Sequence, residues 1–431
     1  MKKRLLSLVL STVLIATMIT GCSSTASKGD STAGENTAGQ SSQSSTVEPV
    51  KEASGKTVKI EFFNQKSEIK DVMDEIIADF EKANPNIDVE HIQVPDAGEV
   101  LTTRMASDEM PDVVSIYPNE TKFKSYVDEG FFMDLTGEDF YSNLNSTYVD
   151  SVKYNDKDWS VPLTMNAYGI YYNADKFNEL GIKVPETWSE LVDAVSKIKE
   201  AGLLPFATSF KDAWTTGHLT EALLGNTMGI PAANEFFSSD VPAADSKEFK
   251  KFTDHFNLFI DNTEEDTAGT DYNTAVTLFA TGDALMLPQG IWATSVIESA
   301  GADFDYQMMP VPADTKEDTK VVYGIDFAVG ISASTPNAEA AKTFVSYLTT
   351  TEVAQKLHDA EKSPSIVNGV EAKNTETVAA TQLLMEGKAY PWIHFDWIPE
   401  NDPNWQDMTD SYAITKDMDI LTEALDSAFG K

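Results

Sequence analysis

The chain has 431 residues, and 69 Asp and Glu against 32 Lys and Arg leave it a formal charge of −37. Such a polyanion repels phosphate backbones and anionic lipid, which excludes a nucleic-acid binder and a membrane binder that works through basic patches. At 42% apolar and 10% aromatic it can bury a large core, and one cysteine excludes an internal disulfide or a cysteine-based zinc cluster.

Residues 1–21 read as an export signal: Lys2, Lys3 and Arg4 precede an apolar run from Leu5 to Ile19. The run is broken by Ser and Thr and is short for a membrane span. It ends at Ile19-Thr20-Gly21-Cys22, which resembles the lipobox of bacterial lipoproteins. That resemblance implies cleavage before Cys22 and a lipid on its thiol. Loss of the three basic residues takes the charge to −40. Residues 22–56 then read as the lipidated cysteine and a Ser/Thr/Gly tether, too poor in apolar groups to fold. A chain of this kind reaches about 30–35 Å.

From Thr57 the pattern alternates strands and helices. Val58, Ile60 and Phe62 alternate with charged residues, as in a half-buried strand. Ser67–Ala83 carries Ile69, Val72, Met73, Ile76, Ile77 and Phe80 on one helical face, and Asn84-Pro85-Asn86 stops it. Further strands are expected at Ile87–Val89, Val113–Tyr117, Gly169–Tyr172 and Phe327–Ile331. Thr187-Trp188-Ser189-Glu190 is a capping box opening a helix that stops at Gly202, and a late helix carries Ala340, Phe344 and Leu348. The alternation predicts an α/β fold with mainly parallel sheets.

Enzyme signatures do not stand out: there is no phosphate loop, no His-Glu-x-x-His and no Gly-x-Ser-x-Gly. The five histidines are scattered, and a lone histidine is more often a surface or core group than a ligand. What stands out instead is aromatic residues among amides and carboxylates. Trp392-Ile393-His394-Phe395-Asp396-Trp397, Gln289-Gly290-Ile291-Trp292 and the polar stretch around Trp214 combine flat rings with donors and acceptors. Sugars need that mixture, because their C–H faces stack on rings while their hydroxyls require fixed partners.

The run Pro162–Glu179, with its Tyr172-Asn173 step, resembles the signature of the family 1 extracellular solute-binding proteins of ABC importers. The segments Leu180–Trp188, Phe80–Asn86, Pro111-Asp112-Val113, Phe279–Met286 and Tyr323–Val329 follow the same family in order. Within it the likeness leans to carbohydrate binders of raffinose and isomalto-oligosaccharide type, on Phe62–Lys66, Gly324-Ile325-Asp326 and His394-Phe395-Asp396. The resemblance implies two α/β lobes around a ligand cleft, with a hinge crossed more than once. Lobe one is expected over 57–165 and 313–355, lobe two over 166–312 and 356–431.

It also implies a monomeric receptor outside the cytoplasm, here anchored through the Cys22 lipid; the Ser/Thr-rich tether suits a Gram-positive surface and leaves a Gram-negative membrane anchor open. The receptor would close on an α-linked galactoside or glucoside and deliver it to permease subunits, without catalysis, cofactor or metal. Trp214 is the expected ring platform, with Trp292 and Phe395 as walls. Asp326, Asp396 and His394 are expected to hold hydroxyls. Gln65, Lys66 and Asn119 reach in from strand ends, and Asn166 and Gln289 lie at the hinge and cleft floor. Tyr117 and Tyr168 read as packing. A lipid-anchored glycosidase and a surface adhesin are the alternatives; the glycosidase predicts cleaved product and the adhesin no aromatic cleft.

Overall fold

The computed structural model describes residues 57–95, 97–372, 375–396 and 404–430, and the side chains of all of these except Phe395 and Asp396. The export, lipidation and tether readings, Cys22 included, therefore fall outside the described residues.

Local patterning sets the elements. Strand β1 (Val58–Phe63) buries Ile60 and Phe62 on the expected alternation. The helix Lys70–Ala83 buries Met73, Ile76, Ile77 and Phe80, and a single 3-10 turn, Ser67–Ile69, precedes it where the sequence suggested helix. β2 (Ile87–Ile92) and β3 (Val113–Ile116) follow. The helix Trp188–Glu200 opens on the expected capping box: Thr187 Oγ1 accepts from the Glu190 amide at 3.4 Å, and Glu190 Oε2 accepts from the Thr187 amide at 3.2 Å.

The long strand β4 (Val161–Asn173) is buried at all thirteen positions. Sequence reading saw only its second half, because Pro162, Thr164 and Asn166 interrupt the apolar run. β5 (Leu204–Phe206), β6 (Ala284–Gly290), β7 (Tyr306–Met309), β8 (Val321–Ile331) and β9 (Ala389–Pro391) complete the sheet. Its order is β2-β1-β3-β8-β4-β6-β5, with β7 added to β4 and β9 to β8.

The expectation of mainly parallel pairing is corrected. β1 is parallel to β2 and β3, β5 to β6, and β8 to β9, but β3–β8, β4–β8, β4–β6 and β4–β7 are antiparallel. The reason lies in the two long strands. β4 pairs with β8 through Val161–Ala167 and changes partner to β6 at Tyr168. β8 runs the other way and joins β3 through Ala328–Ile331. A sheet whose halves are joined by one outgoing and one returning strand must be antiparallel at the join.

Candidate functional site

Strand ends and the joining strands converge on a cavity of about 400 Å³, within the range of small-molecule sites. Gln65 and Lys66 follow the C-terminal end of β1, and Tyr117 and Asn119 follow that of β3. Open α/β sheets present ligand groups at that edge. Asn166 and Asp326 come from β4 and β8 at the join. Across from them stand Trp214 and His218 on the helix Ala213–Met228, Trp292 after β6, and Trp392 and His394 after β9.

The rings form an aromatic box. The His218 imidazole meets Trp392 edge-on at 4.4 Å between centroids, Trp292 at 5.4 Å and Trp214 at 5.6 Å. Trp214 in turn tilts against Trp292 at 6.2 Å. Two glycines make room. A Cβ on Gly290 would fall 2.1 Å from the Trp292 ring, and one on Gly324 would fall 2.6 Å from that of Trp392.

Polar atoms are left over inside this wall. Trp292 Nε1 and Asn166 Oδ1 are buried without a partner among the described residues. His218 Nδ1 donates to the Trp214 carbonyl at 2.5 Å, so the neutral ring keeps Nε2 as an acceptor. Burial pulls its pKa below the ordinary value, which favours that neutral form. Buried donors and acceptors without partners are costly unless water or a ligand meets them. The floor carries the charges. Lys66 is ion-paired with Asp326 and with Glu361, and Asn166 Nδ2 donates to Asp326 Oδ1 at 3.2 Å.

Of the residues expected from sequence, Gln65, Lys66, Asn119, Asn166, Trp214, Trp292, Asp326 and His394 surround this one cavity. Gln289 does not. It is 2% exposed and lines a separate, water-sized void with Ser209 and Thr215, because strand alternation turns it to the opposite face of β6. Phe395 and Asp396 belong to the 3-10 turn Ile393–Asp396, and their side chains lie outside the description. Tyr168 packs as expected, its hydroxyl donating to the Pro288 carbonyl at 2.9 Å. Tyr117, expected to pack, lines the cavity.

Sequence reading missed four groups: Trp392, which stands in the aromatic stretch Trp392–Trp397 where Phe395 was expected as the wall, and three others. His218 stands four residues after Trp214, one turn along the same helical face, but this helix is buried nearly all round and shows no amphipathic period. Glu221, a further turn on, accepts from the Ile393 amide at 2.8 Å, the His394 amide at 3.3 Å and His394 Nδ1 at 2.7 Å, so it fixes the turn that carries His394. Glu361, 35 residues after Asp326, carried no local signal at all.

Comparison with known proteins bears on the arrangement. A family model described as bacterial extracellular solute-binding protein matches residues 66–355. The multiple sugar-binding protein of Streptococcus mutans is 38% identical over 379 residues, spanning 86% of this chain and 90% of that protein. The solute-binding protein RafE in complex with raffinose superposes with a TM-score of 0.81 at 34% identity, covering 86% of this chain and 99% of that one. The apo form of RafE from Streptococcus pneumoniae, at the same identity, gives 0.72 over 87% and 98%.

Proposed function

The chain belongs to the family of bacterial extracellular solute-binding proteins, a binding protein rather than an enzyme, and from that premise we propose that it captures an oligosaccharide of the raffinose class. The observation that carries this reading is the box of Trp214, Trp292, Trp392 and His218 beside buried unpartnered Trp292 Nε1 and Asn166 Oδ1. Rings take the C–H face of a pyranose, and the orphaned donor and acceptor take its hydroxyls. An anionic solute fits poorly, since Lys66 is the one lysine among the described lining residues and two carboxylates already hold it.

The ligand is captured by closure of two lobes over the joining strands. Lobe one takes 57–165 and 313–355, lobe two 166–312 and 356–431, with one refinement. The helix Thr351–Glu361 is unbroken, so we place the third crossing after it. There Met165 donates to the Pro364 carbonyl and Ile366 to that of Leu163, both at 2.9 Å, which lays this stretch along β4. Capture precedes delivery, uncleaved, to the permease of an ABC importer, with the monomeric body tethered outside the cytoplasm by a lipid on Cys22.

A calorimetric panel of raffinose, stachyose, isomaltotriose, maltotriose and glycerol 3-phosphate tests this. Raffinose or another α-galactoside is expected to bind with micromolar or better affinity and to emerge intact. Binding of glycerol 3-phosphate alone, or of no sugar, would overturn the reading.

A further inference from the structure

Three ionisable side chains meet out of water: Lys66 and Asp326, which line the cavity, are 4% and 6% exposed, and Glu361, paired with Lys66 but not lining the cavity, is 1%. The Lys66 ammonium is ion-paired with both carboxyl groups. One positive charge cannot balance two negative ones here, and a buried charge without a counter-charge is strongly disfavoured. One of the two carboxyls must therefore hold a proton.

The surroundings decide which. Asp326 is well furnished: besides Lys66, Asn166 Nδ2 donates to it at 3.2 Å and Ser363 Oγ at 3.4 Å. No hydrogen-bond donor among the described residues reaches Glu361 Oε2. Glu361 is also held in place by a constrained turn. It ends the helix Thr351–Glu361, and Lys362 follows in the left-handed region at φ 70°, its amide donating to the His358 carbonyl at 2.8 Å. His358 Nδ1 then donates to the Ser363 carbonyl at 2.8 Å, so the turn presents Glu361 and Ser363 together to Asp326.

We propose that Glu361 is a positioning residue that carries a proton at neutral pH, and that this proton keeps Lys66 and Asp326 set to receive an uncharged polyhydroxyl ligand. The proposal rests on the sugar-binding reading above. While Glu361 is neutral, the floor sums to zero charge and Lys66 stays committed to Asp326. When Glu361 ionises, Lys66 is contested between two carboxylates and the cavity gains a negative charge that closure over a neutral ligand would desolvate. Binding is thereby linked to keeping the proton.

The charged groups facing Glu361 are Lys66 from the end of β1 and Asp326 from β8, and Glu68 on the adjoining 3-10 turn acts on Lys66. Lys362, next in the chain, lies 3.9 Å from Glu298 of the helix Ala293–Ser299, and Lys356 of the Glu361 helix is taken by Glu75 and Asp79. Burial, against the pull of Lys66, pushes the Glu361 carboxyl up to about 8, while Lys66 overcomes the same burial to hold Asp326 below its usual range.

The test is raffinose affinity by calorimetry from pH 6 to 9.5 in the wild type, Glu361→Gln and Glu361→Ala. Wild-type affinity is expected to be level to about pH 7 and then to weaken, with a limiting slope of about tenfold per pH unit for one linked proton. Glu361→Gln, a neutral isostere, is expected to bind at pH 7 within about threefold of wild type and to lose the alkaline slope. An unchanged slope in Glu361→Gln, or binding at pH 7 no better than that of Glu361→Ala, would overturn the proposal.

A ligand-free measurement keeps the test independent of the sugar and of the variants' folding. Infrared titration of the wild type should show the carbonyl band of a protonated buried carboxyl at pH 7, vanishing as pH rises through about 8. Its absence at pH 7 overturns the proposal. If raffinose fails to bind the wild type at every pH, the sugar reading falls and the infrared result still judges the proton.

Discussion

At the scale of single residues, the site separates groups that would touch a ligand from groups that hold the fold. Trp214 is half-buried, packing against Tyr272 at 5.1 Å while lining the cavity. Trp405 is 3% exposed and its Nε1 donates to Thr220 Oγ1 at 2.9 Å. Trp214→Ala is therefore expected to weaken sugar binding by about 2 kcal/mol, roughly thirtyfold in Kd, with a modest fall in melting temperature. Trp405→Ala should do the reverse, costing about 3–5 kcal/mol of stability. Equal melting losses in the two variants would contradict this division. Gly324 has a sharper requirement. A methyl there meets the Trp392 ring at 2.6 Å, so Gly324→Ala should cost about 1–3 kcal/mol and displace the ring from the cavity wall. Retained affinity and unchanged tryptophan fluorescence would show that the ring had not moved.

At the scale of elements, those built from local signals are the ones sequence reading saw. Thr187 and Glu190 satisfy each other's amides as the capping box requires, far in the chain from any cavity residue. Thr187→Ala is expected to lower stability by about 1 kcal/mol in denaturant melts and to leave sugar affinity unchanged. The helix Ala213–Met228 makes the contrast. Thr215, Thr216, Gly217, Leu219 and Thr220 are all buried, so no polar face marks a helix, and the segment read as an aperiodic stretch. That one misreading hid His218 and Glu221. β4 was half hidden for a different reason: Pro162, Thr164 and Asn166 break the apolar run of its first half, although all thirteen positions are buried.

For the whole molecule, buried titratable groups set the pH range of stability. His255 stacks on Trp188 at 3.8 Å and bonds Thr227 Oγ1 through Nδ1 at 2.8 Å. Burial, seconded by Lys251, pulls its pKa from 6.5 to about 4. The folded state thus favours the neutral ring, and its contribution is fully present above about pH 6.5 and lost as pH falls toward 4. That contribution is at most about 3 kcal/mol. Glu361 acts with the opposite sign: its folded-state value is raised from 4.5 to about 8, so its contribution is present at low pH and is lost as pH rises through that window. Thermal melts against pH should show His255→Gln flattening the acid limb and leaving the alkaline limb alone. A variant that keeps the wild-type acid limb would assign that limb to other groups.

The sequence by itself determined the elements with strong local signals, the family and most of the cavity's residue types, because capping boxes, helical stripes and short motifs are written in neighbouring residues. It placed Trp214, Trp292, Asp326, Asn166, Gln65 and Lys66 as candidates, and these share one cavity. Only the tertiary structure decided which way each side chain faces. It turned Gln289 to the other side of β6, brought His218 and Tyr117 into the wall, and ran β4 and β8 antiparallel through the join. It alone brought Glu361 against Lys66, 295 positions earlier in the chain. A charge of −37 says nothing of whether two carboxylates share a buried ammonium, since net charge sums over residues while protonation depends on what lies within a few ångströms.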